Sequence, residues 1–153
     1  MKIQFVLNGK KITAEAEPST TLYTFLRDLG CLSVKCGCET ANCGLCTVLL
    51  DGKSVLSCSV LAGRVDGSEV CTLEGLQQEA EELGGFLAAE GGEQCGFCSP
   101  GFLMNAIAML REWKEPDEES IKEYMAGNLC RCSGYMSQLR ALTKYVAYKK
   151  EGH

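Results

Sequence analysis

The segment Cys38-Glu39-Thr40-Ala41-Asn42-Cys43-Gly44-Leu45-Cys46, with Cys58 after eleven intervening residues, decides how this chain is read. From Val34 to Cys46 large apolar residues are few and small ones many, so the stretch is expected to be a loop that carries three thiols. Residues 47–50 and 53–58 are apolar runs either side of Asp51-Gly52, a two-residue hairpin signal. That hairpin returns Cys58 to the side of Cys46, so the fourth thiol is expected to arrive by strand pairing. C-x4-C-x2-C followed by a distant fourth cysteine is the plant-type spacing, in which four thiolates hold a 2Fe-2S cluster. Structural zinc is the main rival for any four-thiolate set, but the ligand order here favours iron and sulfur.

A second frame follows, Cys95-x2-Cys98-x31-Cys130-x-Cys132. On spacing alone it stays open between zinc and a second iron–sulfur cluster. The long gap has a physical reading: a helix of about 12 residues runs about 18 Å, and a turn plus a second helix brings the chain back. Each cysteine pair also sits just before an expected helix. Two helix amino termini would then point at one anionic cluster, which their free N–H groups stabilise.

Working outward, Ile3, Phe5 and Leu7 alternate with polar neighbours, Asn8-Gly9 makes a turn, and Ile12, Ala14 and Ala16 alternate on the return. Hydroxyls at 19–21 can cap a helix with Leu22, Phe25, Leu26 and Leu29 on one face and Gly30 as its stop. After Val70 and Thr72 the pattern becomes helical. Four helices are expected: 76–90, weakened by Gly84-Gly85; one opened by Ser99 as cap and Pro100 at the first position; a short one capped by Asp117; and 135–148. The fold class is therefore α+β, with residues 1–74 as a small α/β domain and 75–153 as an all-α four-helix domain. Units of this size bury little surface, so metal clusters would be part of their fold.

A net charge of −5 argues against a nucleic-acid or anionic-membrane partner, since both need a basic face. No export signal opens the sequence and no apolar run reaches transmembrane length, so a cytoplasmic location with reduced thiols is expected and a disulfide framework is not. Cys31, Cys36 and Cys71 remain as small buried apolar residues or free thiols, with Cys36 a reserve ligand two residues before Cys38. The one histidine, His153, ends the chain, and no nucleophile–base set or nucleotide loop is present. The chain is expected to have no substrate site, and its chemistry to be electron transfer.

Both frames and their neighbours, Val34-Lys35-x-Gly37-Cys38, Cys43-Gly44-x-Cys46-Thr47-Val48, Ser57-Cys58, Gln94-Cys95-Gly96-Phe97-Cys98-x-Pro100-Gly101 and Gly127-Asn128-Leu129-Cys130-Arg131-Cys132-x-Gly134-Tyr135, resemble the iron–sulfur subunit of the xanthine oxidase family of molybdenum hydroxylases. The resemblance runs through nearly the whole chain. It implies a β-grasp 2Fe-2S ferredoxin-like domain, then a four-helix-bundle domain with a second 2Fe-2S cluster near a molybdopterin cofactor. It further implies a large molybdopterin-binding subunit and a medium FAD-binding subunit, assembled as a dimer of heterotrimers. Electrons would pass from molybdenum through the helical-domain cluster, then the ferredoxin-domain cluster, to FAD. By position, Gln94 and Cys132 would border the pterin, Cys132 also being an iron ligand. The implied substrate is by default a purine such as xanthine. Aldehydes, other N-heterocycles, CO and aromatic thioesters are the alternatives within the family. A freestanding ferredoxin with a zinc-stapled docking module is the alternative outside it. Ala41 stands where the family commonly has glycine, and Leu45 replaces a usual small residue.

Overall fold

The computed structural model describes residues 1–153. β1 (Lys2–Leu7) and β2 (Lys10–Glu15) are joined by Asn8-Gly9, both at positive φ as a tight two-residue hairpin requires. α1 (Leu22–Asp28) starts on Thr21, whose hydroxyl accepts the Thr24 N–H at 3.2 Å. β3 (Thr47–Leu50) and β4 (Lys53–Leu56) flank Asp51-Gly52, and β5 (Glu69–Cys71) lies between the two hairpins. The sheet order is β2-β1-β5-β3-β4, with β1 and β5 parallel and every other pair antiparallel. β5 was not expected from the sequence. A run of three residues is too short to show period-two alternation, and its pairing depends on neighbours already in place.

Four further helices follow: α2 (Gln77–Ala89), α3 (Ser99–Glu112), α4 (Glu118–Met125) and α5 (Met136–Lys150). Alternation along the strands decides what they cover. Ile3, Phe5 and Leu7 of β1 meet Leu22, Phe25 and Leu26 of α1, with the Phe5 and Phe25 ring centroids 5.7 Å apart. Each such burial contributes about 2 kcal/mol. In β3, Val48 joins this core while Leu49 turns to the other face and meets Met104 and Ala108 of α3. A strand covered on both faces carries no polar alternation, which is why 47–50 reads as a continuous apolar run. The second core is made by Leu83 and Leu87 of α2, Phe102 and Ile107 of α3, Ile121 of α4 and Leu142 of α5. α3 is buried without a break from Gly101 to Met109, because β3 lies on one side of it and the other helices on the rest.

α2 forms over the expected stretch and runs straight through Gly84-Gly85, at a cost near 1 kcal/mol for each glycine that the burial of Leu83 and Leu87 offsets. Two details differ from expectation. Ser99 is the first residue of α3 rather than its cap, and its hydroxyl donates to Glu93 at 3.2 Å instead. Cys58 lies beyond the strand, since pairing ends at Thr47 with Leu56 and residues 57–59 form a 3-10 turn. Asp117 does cap α4, accepting the Ser120 N–H at 2.8 Å. No helix is long and apolar enough to cross a membrane.

Candidate metal centres

The loop between α1 and β3 presents Cys38, Cys43 and Cys46 in succession. Two backbone N–H groups, those of Asn42 and Cys43, reach the Cys38 Sγ at 3.3 and 3.4 Å. The backbone N–H groups of Thr40, Asn42 and Cys43 draw the Cys38 thiol down to about 6, and the Cys43 thiol beside it acts in the same direction. The 3-10 turn, rather than the strand, delivers Cys58. Ser57 locks that turn by donating its N–H and its hydroxyl to the Cys46 carbonyl at 3.2 and 2.7 Å. Cys46 and Cys58 then lie side chain to side chain, and burial pushes the Cys46 thiol up to about 11. The first frame is thus two pairs, Cys38 with Cys43 and Cys46 with Cys58.

The second frame also forms pairs, each taking one thiol from before α3 and one from before α5. Cys132 meets Cys95 with their sulfurs 3.6 Å apart, and Cys130 meets Cys98. Burial, then Cys130, pushes the Cys98 thiol up to about 12. Burial also works to raise Cys130, but the Ser133 hydroxyl and N–H outweigh it and hold that thiol low. All four sulfur residues line one cavity of about 390 Å³, together with Cys43 of the first frame and apolar walls that include Phe97, Leu129 and Tyr135. No three Cys, His, Asp or Glu side chains converge on a single point. Thiols set in twos around a cavity suit a dinuclear group, in which each iron takes two thiolates, better than one tetrahedral ion. Thiols held at about 11 and 12 must lose their protons to bind metal, so loading releases protons.

Gln94 is exposed beside the exposed Cys95 and Cys132. Of the remaining cysteines, Cys31 is buried in the first core, Cys71 packs against Leu49 and Met104, and Cys36 donates its thiol to the Cys38 carbonyl at 2.5 Å. His153 stacks on Tyr148 at the chain end.

Sequence reasoning assigned no role to the residues that join the frames. The Leu129 N–H bonds the Cys43 carbonyl at 2.9 Å, and the buried Asn128 amide reaches the carbonyls of Gly44 and Gly101 at 3.1 and 3.2 Å. The Tyr135 hydroxyl accepts the Cys130 N–H at 3.1 Å, and the Lys35 ammonium sits 4.9 Å from the centre of the Phe97 ring. Gly44 and Gly101 allow the approach. A Cβ on Gly44 would fall 2.5 Å from the Gly127 carbonyl oxygen, and one on Gly101 2.5 Å from that of Gly44. An asparagine in a polar stretch reads as a loop residue, and only burial reveals it as a clamp.

The sheet, the thiol loop and the helical thiol cavity define an iron–sulfur protein with ferredoxin-like 2Fe-2S domains. Residues 5–88 match the family described as 2Fe-2S iron–sulfur cluster binding domain, and residues 72–143 the 2Fe-2S binding domain family. The chain belongs to the family of small iron–sulfur subunits of the xanthine dehydrogenase type. It is 40% identical over 147 residues to the nicotinate dehydrogenase small FeS subunit of Eubacterium barkeri, covering 94% of this chain and 93% of that protein. It is 44% identical over 142 residues to the xanthine dehydrogenase iron–sulfur-binding subunit of Escherichia coli O157:H7, covering 87% and 86%. Among solved structures, quinoline 2-oxidoreductase from Pseudomonas putida 86 superposes with a TM-score of 0.90 at 37% identity, over 97% of this chain and 94% of that one.

Proposed function

We propose that this chain is the electron-transfer subunit of a molybdenum hydroxylase complex. Cys38, Cys43, Cys46 and Cys58 hold one 2Fe-2S cluster and Cys95, Cys98, Cys130 and Cys132 a second. The carrying observation is that four cysteines from two distant segments line one cavity in thiol pairs, while the first frame pairs in the same way. A 2Fe-2S cluster supplies a one-electron store when bound. The protein's part is to supply the thiolates, to aim N–H groups at the sulfurs of Cys38 and Cys130, and to wall the site with apolar side chains. Hydrogen bonds to sulfur and exclusion of water are the levers that set such a site's potential.

In this reading residues 1–74 are a β-grasp domain and residues 75–153 a four-helix bundle. The chain passes electrons from a molybdopterin centre on a large subunit to FAD on a medium subunit, in a cytoplasmic dimer of heterotrimers. Gln94 and Cys132 border the pterin. Support comes from exposure: Gln94, Cys95 and Cys132 lie open, and Phe97, Leu129, Tyr135 and Met136 around them are large apolar residues left in solvent. Such residues gathered around a site suit a covering partner. Nicotinate, xanthine and quinoline, the compounds in the names of those three relatives, are aromatic N-heterocycles, while an aldehyde oxidase and an aldehyde oxidoreductase stand among the other relatives. The substrate proposed is therefore of that class, a purine such as xanthine being the first to try. Its pocket lies on the large subunit.

Purification of the native complex with metal analysis tests this. About four irons per small subunit and two distinct reduced paramagnetic signals are expected. Zinc in place of half the iron would overturn the reading in favour of a ferredoxin with a zinc-stapled module. A substrate screen with an artificial electron acceptor separates N-heterocycles from aldehydes, CO and aromatic thioesters.

A further inference from the structure

We infer that Asn128 is the positioning residue for electron passage between the two cysteine frames, because it clamps the one backbone hydrogen bond that joins them. The inference rests on the reading of both frames as cluster sites. In the step concerned, one electron leaves the later frame and enters the earlier one. The cluster of the later frame would be oxidised by one electron as that of the earlier frame is reduced by one, with no bond made or broken and no proton moved.

The Leu129 N–H donates to the Cys43 carbonyl at 2.9 Å. Leu129 is bonded directly to Cys130, and Cys43 itself lines the cavity of the later frame. A continuous path therefore runs from the Cys130 sulfur through its backbone and the Leu129 amide, across one hydrogen bond, into the Cys43 carbonyl and out to the Cys43 sulfur. Without that hydrogen bond the same route has a gap to be crossed through space.

Asn128 fixes the ends of this bond. Its amide donates to Gly44, the neighbour of Cys43, and to Gly101, three residues past Cys98, while it is itself adjacent to Leu129. Asn105 orients it by donating to its Oδ1 at 2.7 Å, and Asn105 is anchored in turn on the Tyr124 carbonyl at 3.1 Å. Asn128 is only 7% exposed. A leucine could fill much the same space without the cost of burying an amide, so filling space does not account for asparagine here. What the amide adds is the register of two carbonyls against each other, to within the hydrogen-bond tolerance that the Cys43 to Leu129 contact needs.

The test uses the native complex carrying Asn128→Leu and, separately, Asn105→Leu, with iron content, melting temperature, the paramagnetic spectrum of the fully reduced state, and rapid-reduction kinetics. Expected for fully loaded Asn128→Leu is a severalfold slower arrival of the electron at the earlier frame. The mutual splitting of the two reduced signals should weaken with it, and Asn105→Leu should fall between this variant and the parent. Loaded variants that melt lower but keep the parent's splitting and transfer rate would make Asn128 a packing residue and overturn the inference while leaving the cluster reading intact. If Asn128→Leu fails to take up iron, Asn105→Leu decides by the same two outcomes. A parent complex lacking the four irons would sink the cluster reading, and this inference with it.

Discussion

Ala41 adopts φ 58°, a left-handed conformation that alanine reaches only at a cost of roughly 1–2 kcal/mol. The residue stands three positions after Cys38, where the family resemblance implies glycine, so the strain was legible before the structure as a departure from that implied pattern. Ala41→Gly should relieve it. Against that gain stands the greater freedom of glycine in the unfolded chain, worth about 0.4–1 kcal/mol. The expected net is a stabilisation of about 0.5–1 kcal/mol, read as a rise of about 2–4 °C or less in Tm at unchanged iron content. A fall in Tm would mean that Ala41 makes a contact worth more than its strain. Tyr135, at φ 72°, is a comparable case that no pattern announced. Its backbone turns so that the ring folds back and its hydroxyl takes the Cys130 N–H.

Among the elements, both hairpins and all five helices were readable, because signals such as Asn8-Gly9, Asp51-Gly52, Thr21 and Asp117 act on their immediate neighbours. The strap that holds the thiol loop was not readable. Glu74, in the 3-10 turn after β5, accepts the N–H and hydroxyl of Ser33 at 2.9 and 2.6 Å and the hydroxyl of Thr72 at 2.6 Å, from residues up to 41 positions away. Partial burial works to raise the Glu74 carboxyl, but these hydrogen bonds outweigh it and hold the pKa below its ordinary value. The sign follows: a carboxyl depressed in the folded state lends stability that is complete above its unfolded pKa, near 4.5, and lost as pH falls through the folded value. Glu74→Gln should therefore lower stability at neutral pH and flatten the acid side of a stability profile below about pH 4.5. Parallel acid limbs for parent and variant, measured by denaturant titration, would remove Glu74 from that role.

For the whole molecule, the two cores are joined through β3, whose Leu49 packs on α3, and through the polar seam of Asn128, Gly44 and Gly101. This arrangement separates what a cysteine's side chain does from what its backbone does. Cys43→Ser removes one thiolate of the first frame but keeps the carbonyl that Leu129 bonds. The variant complex is expected to retain about two irons, those of the later frame, to keep its large-subunit cofactor, and to lose turnover with a flavin-side acceptor. Full turnover with that acceptor would refute the order of the two frames.

The eight candidate ligands, the likeness to iron–sulfur subunits and most of the regular elements were determined by the sequence alone, since spacing, turn dipeptides and helix caps express chemistry local in the chain. How the thiols pair, Cys95 with Cys132 and Cys98 with Cys130, was decided only in three dimensions, as were the short β5, the two-faced burial of β3 and the amide clamp between the frames. Each of these depends on which surfaces meet after residues far apart in sequence have folded. Glycine at 44 and 101 is the clearest case: it reads as loop and helix start, and only the approach of the two backbones shows that no side chain would fit.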